Sequence, residues 1–255
     1  MMEDIPSGRA VGRLSLLDTL RGITLVSMIL YHAAWDAVYL LGIQWEWYHG
    51  TGAFIWQQSI CWTFILLSGF CLPLGRHPMR RGVEVFGAGL LVTVVTVLVI
   101  PENRVVFGVL TLLGSCMMLT GGLDRLLKML PPVAGVIGSG LMFLLTRWVN
   151  DGFLGWESLW TFQLPDWLYH GLGMTYLGFP EPGFVSTDYF SLIPWCFLFL
   201  VGYYLGLLCL RTGFHARGWK LKLPLLDWMG RHSLLIYLLH QPILYIATMA
   251  VGAII

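Results

Sequence analysis

The sequence predicts an all-α, polytopic integral membrane helix bundle of about seven transmembrane helices, with its N-terminus in the cytoplasm. Three observations predict it. Of the 255 residues, 57% are hydrophobic and 11% charged, and the mean hydropathy is +0.73, whereas a soluble domain carries about a quarter charged residues. Apolar segments of spanning length recur along the chain. Positive charges collect in alternate connections.

The apolar segments lie near 16–38, 53–74, 83–100, 105–122, 131–147, 190–210 and 230–254. With these as spans, Arg9, Arg13, Arg76, Arg80, Arg81, Arg125, Lys128, Arg211, Arg217, Lys220, Lys222 and Arg231 fall on one side, and Arg104 and Arg147 on the other. The richer side is the cytoplasmic one. No short apolar run with a small-residue cleavage site opens the chain, so the first segment is expected to remain as a helix. The expected location is the cell (inner or plasma) membrane, as a multi-pass protein of one domain over 1–255.

The first segment, Leu17 to Tyr39, holds Asp18, Arg21, His32 and Asp36. At 100° per residue Arg21 and His32 fall within about 20° of each other, and Asp18 and Asp36 coincide. The polar stripe runs roughly 27 Å, close to the thickness of the hydrocarbon core. Ionisable groups at that depth are expensive and mark a wet cavity or a functional site, against the plainer alternative of interhelical ion pairs.

The two outer connections differ in length. The first, 41–52, is rich in Trp and Tyr, as at a membrane interface, and contains His49; the second, 148–188, is long enough for a lid or an interfacial element, and Trp156 to Tyr169 is a stretch suited to lying flat on the surface. In the second segment Gln57, Cys61 and Ser68 share one side of the helix, with Gln58 adjacent; in the last, Pro242 follows Gln241 and frees a carbonyl. Cysteines 61, 71, 116, 196 and 209 lie in or beside apolar segments without paired spacing and read as buried free thiols.

Imidazoles are the candidate acid–base groups, because they titrate near neutrality. His77 and His215 read as solvated, His170 as either a surface group or part of a substrate mouth, and His232 as a capping or packing group at least as readily as a chemical one. His32, His49 and His240 stand in or next to the apolar segments. No Walker sequence, G-x-S-x-G elbow, HExxH or CxxC pair occurs, so phosphotransfer, hydrolase-triad and zinc chemistry lack support, no metal is expected, and no basic run suits nucleic acid.

The stretches LLDTLRGITLVSMILYHAAWD, FILLSGF, FGVLTLLGSCMML, LGFPEPGFVSTDYFSLIPWCFLFLVGYYLG and GRHSLLIYLLHQPILY together resemble the bacterial relatives of heparan-alpha-glucosaminide N-acetyltransferase, within the transmembrane acyltransferase superfamily. The resemblance covers about 13–246. It implies a membrane acyltransferase that takes an acetyl (acyl) group from cytoplasmic acyl-CoA, with acetyl-CoA as co-substrate, and passes it to an amine or hydroxyl of a sugar or glycan at the outer face. Arg21 matches the family's Arg-Gly, where its charge suits a CoA phosphate. His49 resembles the active histidine, as general base or transient acyl carrier. His32 stands where an Asn would be, Gln58 where an acidic residue would be, and Thr111 where many bacterial relatives have His; Asp36 is the substitute carboxylate.

The implied catalytic set is therefore His49, His32 and Asp36, with Arg21, Asp18, Arg231 and His240 on the acyl-CoA side. Expected partners are acyl-CoA, the glycan acceptor and membrane lipid, and a homodimer is admitted. Two other readings fit an ionisable stripe and a proline-broken last helix: a proton-coupled small-solute transporter, and a non-catalytic acyl-CoA- or lipid-binding relative.

Overall fold

The protein is seen here as a computed structural model that describes residues 14–156, 159–213 and 223–254. The expectations for Arg9, Arg13, His215, Arg217, Lys220 and Lys222 lie outside the described residues. Helices dominate, and the residues divide into two compact units, Met1–Leu67 with Gly213–Ile255 and Ser68–Thr212.

The first unit is built on α1 (Ser15–Tyr39). No proline interrupts α1, its Leu, Ala, Met and Arg residues favour the helix, and Asp18 in the first turn complements the positive end of the helix dipole. A tight turn at Glu46–His49 leads into α2 (Thr51–Cys71), which runs on into the second unit. Leu25 and Met28 of α1 and Ile60 of α2 bury a core against Met229, Ile236 and Tyr237 of the C-terminal region. A second core, Ala34, Val38, Tyr48 and Ala53, forms at the other end of α1.

The second unit begins with α3 (Pro78–Val99) and α4 (Val109–Gly122). They pack closely because Gly82 meets Gly114 and Met118, and Gly89 meets Thr111, small residues being what lets helices approach in lipid. The short α5 (Asp124–Leu127) precedes α6 (Pro132–Thr146). Strands β1 (Phe153–Trp156) and β2 (Trp160–Gln163) pair antiparallel, followed by α7 (Leu172–Leu177) and α8 (Leu192–Arg211). The first unit then resumes with α9 (Pro224–Arg231) and α10 (Ser233–Gly252).

Among the described residues, five helices are long and apolar enough to cross a membrane: Thr51–Cys71, Pro78–Val99, Pro132–Asp151, Leu192–Arg211 and Ser233–Gly252. The other two expected spans form helices that fall short by this measure. Helix α1 has the length, 25 residues, but the polar stripe lowers its apolarity. Helix α4 is apolar but only 14 residues long.

The chain is mostly helical, as expected, with the short hairpin β1–β2 added; it takes part of the stretch 156–169 expected to lie flat. Aromatic and β-branched residues in WTFQ favour an extended, half-exposed ladder over a helix. The last apolar segment is likewise two helices, broken at His232, whose backbone departs from helical geometry.

The long connection is tied down by its own hydrogen bonds. Asn150 Nδ2 donates to the Gly178 carbonyl at 2.8 Å, Tyr169 Oη to the Val149 carbonyl at 2.6 Å, and Tyr189 Oη to the Thr175 carbonyl. Asp188 accepts from the Val109 amide at 3.1 Å and so caps the start of α4. Burial pushes the Tyr189 phenol from 10.0 up to about 12. A raised folded value means that this contribution to stability is complete below pH 10 and is lost as the pH climbs through 12. Thermal unfolding across that window should therefore fall more steeply for the wild type than for Tyr189→Phe, and equal slopes would exclude Tyr189 as the titrating group.

None of the five cysteines is in a disulfide; Cys71, Cys116 and Cys209 are buried and Cys61 and Cys196 partly so.

Candidate functional site

The helical period places His32 and Asp36 one turn apart on the same face of α1. Helix α10 brings His240 and Gln241 to that face. The imidazole rings of His32 and His240 lie 4.9 Å apart at 59°, and Gln241 Nε2 donates to Asp36 Oδ1 at 2.9 Å. Asp36 is fully buried and His240 is 8% exposed. These contacts join positions 205 residues apart in the chain.

The hydrogen-bonding of this cluster is incomplete. His240 Nδ1 lies 2.5 Å from the Tyr237 carbonyl oxygen. A carbonyl only accepts, so Nδ1 carries the proton and the lone pair of the neutral ring falls on Nε2. Among the described residues, His240 Nε2, Asp36 Oδ2, Gln241 Oε1 and Tyr48 Oη are buried without a hydrogen-bond partner. Each such atom costs about 1–3 kcal/mol, and four in one neighbourhood of the unit are what a polar ligand or bound water would satisfy. Three of them can accept a hydrogen bond, and Tyr48 can donate one. Burial, reinforced by the neighbouring Tyr31, holds the Tyr48 phenol well above its ordinary value, so it stays protonated.

A second polar group lies at the start of α1. Arg21 Nη1 pairs with Asp18 Oδ1 at 3.0 Å, with the Arg21 side chain 19% exposed. Thr19 Oγ1 donates to the Asp227 carboxylate of α9, and Arg231 Nε donates to the Asp227 carbonyl at 3.1 Å. Gly22 approaches the backbone of Leu226, and Gly230 the backbone of Asp18. Asp18, Arg21 and Arg231 are thus gathered where α1 meets α9, and Arg231 is exposed. His240, grouped with them in the sequence reading, sits beside His32 instead. Eleven residues separate Arg21 from His32, about 16 Å along the helix.

His49 is exposed; its ring neighbours are Tyr39 at 6.0 Å and Tyr48 at 6.2 Å. Around it, Trp45 and Trp47 pack with ring centroids 5.9 Å apart, and Trp47 stacks on Trp56. The structure therefore unites His32, Asp36 and His240 but leaves His49 outside their contacts. Gln58 accepts from the indole of Trp62 at 3.0 Å within α2, and Thr111 is buried, its hydroxyl donating to the Gly108 carbonyl at 2.6 Å. His77, His170 and His232 are exposed.

Sequence reasoning missed Tyr48, whose neighbour His49 drew attention in a connection that reads as an aromatic belt. Its burial comes from packing on Ala34, Val38 and Ala53, which no local pattern announces. Gln241 was noted for its proline neighbour, while its partner Asp36 was not legible. Among the described residues, no group of three or more His, Cys, Asp or Glu is placed to hold a metal ion.

A family model described as heparan-alpha-glucosaminide N-acetyltransferase, catalytic, matches residues 13–242. No curated protein and no solved structure matches the chain. The match contains both polar groups: Asp18 and Arg21, His32 and Asp36, and Arg231 through Gln241.

Proposed function

The chain belongs to the heparan-alpha-glucosaminide N-acetyltransferase catalytic family, and on that premise we propose that it is a membrane-embedded acyltransferase moving an acetyl group from cytoplasmic acetyl-CoA to an amine or hydroxyl of a sugar at the outer face. It works as one catalytic domain in the cell membrane, its N-terminus in the cytoplasm and α1 and α4 completing seven spans. The observation that carries this reading is the polar face of α1, inside the family match, with a cationic group at its start and a buried acid–base cluster near its end.

At the cytoplasmic end Arg21 meets the phosphates of the donor. Asp18 fixes the direction of the guanidinium while leaving N–H groups for a phosphate oxygen, and the exposed Arg231 adds charge at the same crossing. The thioester then reaches towards His32, Asp36 and His240. A histidine takes the proton of the attacking amine or hydroxyl, and the catalytic set comprises His32, Asp36 and His49, the last on the outer side where the acceptor arrives. Amphipathic Trp45 and Trp47 suit the lipid interface there.

The test is acetyl-CoA binding to purified protein by calorimetry, with Arg21→Ala beside the wild type. Saturable binding should weaken by about 10- to 100-fold in the variant, the equivalent of one charge-assisted contact of about 1.5–3 kcal/mol. A folded wild type that binds no acetyl-CoA would overturn the reading.

A further inference from the structure

We infer that His240 is the general base of the transfer, acting through Nε2, an assignment that rests on the acyltransferase reading and replaces its membership of the donor-binding group. The argument is one of tautomer, burial and neighbours. The Tyr237 carbonyl holds Nδ1 and its proton, which fixes the ring's orientation and directs the basic lone pair to the opposite side, as an oriented catalytic histidine requires. That Nε2 atom is buried and has no partner among the described residues. Asp36 Oδ2 and Gln241 Oε1 are in the same condition, and the Asp36–Gln241 hydrogen bond ties α10 to α1 one residue beyond His240. His32 places a second ring 4.9 Å away and closes one side.

His49 offers none of these features. It is exposed, its ring neighbours are aromatic, and nothing given for it fixes its tautomer. It stands on the path of the acceptor, while His240 receives the proton.

In the reaction the acceptor nitrogen or oxygen attacks the thioester carbonyl carbon as His240 Nε2 takes the proton it loses. The tetrahedral intermediate collapses with cleavage of the carbon–sulfur bond. The departing CoA thiolate receives that proton back from Nε2, so acyl-CoA and acceptor become acylated acceptor and free CoA, with His240 returned to its neutral state.

The test uses the full chain in lipid nanodiscs with acetyl-CoA and, as acceptors, glucosamine and glucose, measuring free CoA by chromatography and acetyl-CoA binding by calorimetry. His240→Ala should lose about 10²- to 10⁴-fold in turnover, with its acetyl-CoA dissociation constant within about threefold of the wild type. His240→Gln retains a polar side chain, which serves if the alanine variant does not fold, and should show the same loss. Either variant turning over at the wild-type rate overturns the assignment and leaves the acyltransferase reading intact. A folded wild type that neither binds acetyl-CoA nor releases CoA with either acceptor overturns both.

Discussion

Asp36→Ala is expected to lose at least about 10²-fold in acetyl-CoA turnover and about 1–3 kcal/mol of stability. The two losses have different origins. Asp36 is fully buried and its Oδ1 accepts from Gln241; with the carboxylate gone, the Gln241 amide is buried without its partner, which is the stability cost. The activity cost comes from the second oxygen, Oδ2, which has no partner among the described residues and is left to bind a polar group of the substrate. Asp36→Asn separates the two: its amide oxygen can still accept from Gln241, so unfolding in detergent should stay near the wild type while turnover falls. A pair of variants both active at the wild-type rate would remove Asp36 from the catalytic set.

Gly230→Ala is expected to destabilise the first unit by about 1–3 kcal/mol or more. A Cβ at Gly230 would occupy the place of the Asp18 carbonyl oxygen, and because the obstacle is backbone, no rotamer change relieves it. Helices α1 and α9 must move apart, disturbing the Thr19–Asp227 hydrogen bond and the Asp18–Arg21 pair. Acetyl-CoA binding should weaken with stability. Gly138→Ala in α6 is the control, since nothing lies within 4 Å of its added Cβ; helix propensity alone should make it neutral or stabilising by up to about 1 kcal/mol. Thermal unfolding of the two variants decides the point, and equal midpoints would mean that α1 and α9 are not in close contact in the membrane.

The two predictions draw on different amounts of sequence information. The stripe on α1 was legible in advance because a helix has a fixed period: Asp18, Arg21, His32 and Asp36 had to share a side if the segment was helical at all. The apolar stretches that became α2, α3, α6, α8 and α10 were legible for a similar reason, since length and apolarity are local properties. The resemblance, carried by stretches of α1, α2, α4, α8 and α10 and the connection before α8, likewise reached the family directly.

Pairing was not legible. Asp36 and Gln241 meet across 205 residues, and no local period says which face of α10 turns towards α1. His240 therefore read as a donor-side residue, whereas tertiary packing sets its ring beside that of His32; His49 read as central because the family resemblance matches it to the active histidine. Helix α9 was hidden because only its last two residues, Gly230 and Arg231, fall in the final apolar run, and its charged Asp227 and Arg231 break any apolar stretch. Its close approach to α1 depends on Gly22 and Gly230, separately unremarkable in the chain. The sequence alone determined the long apolar helices, the polar face of α1 and the family, because periodicity and composition act over one or two turns. The partner of each polar group was decided only by the tertiary structure, because burial and hydrogen-bond satisfaction are settled where distant segments pack together.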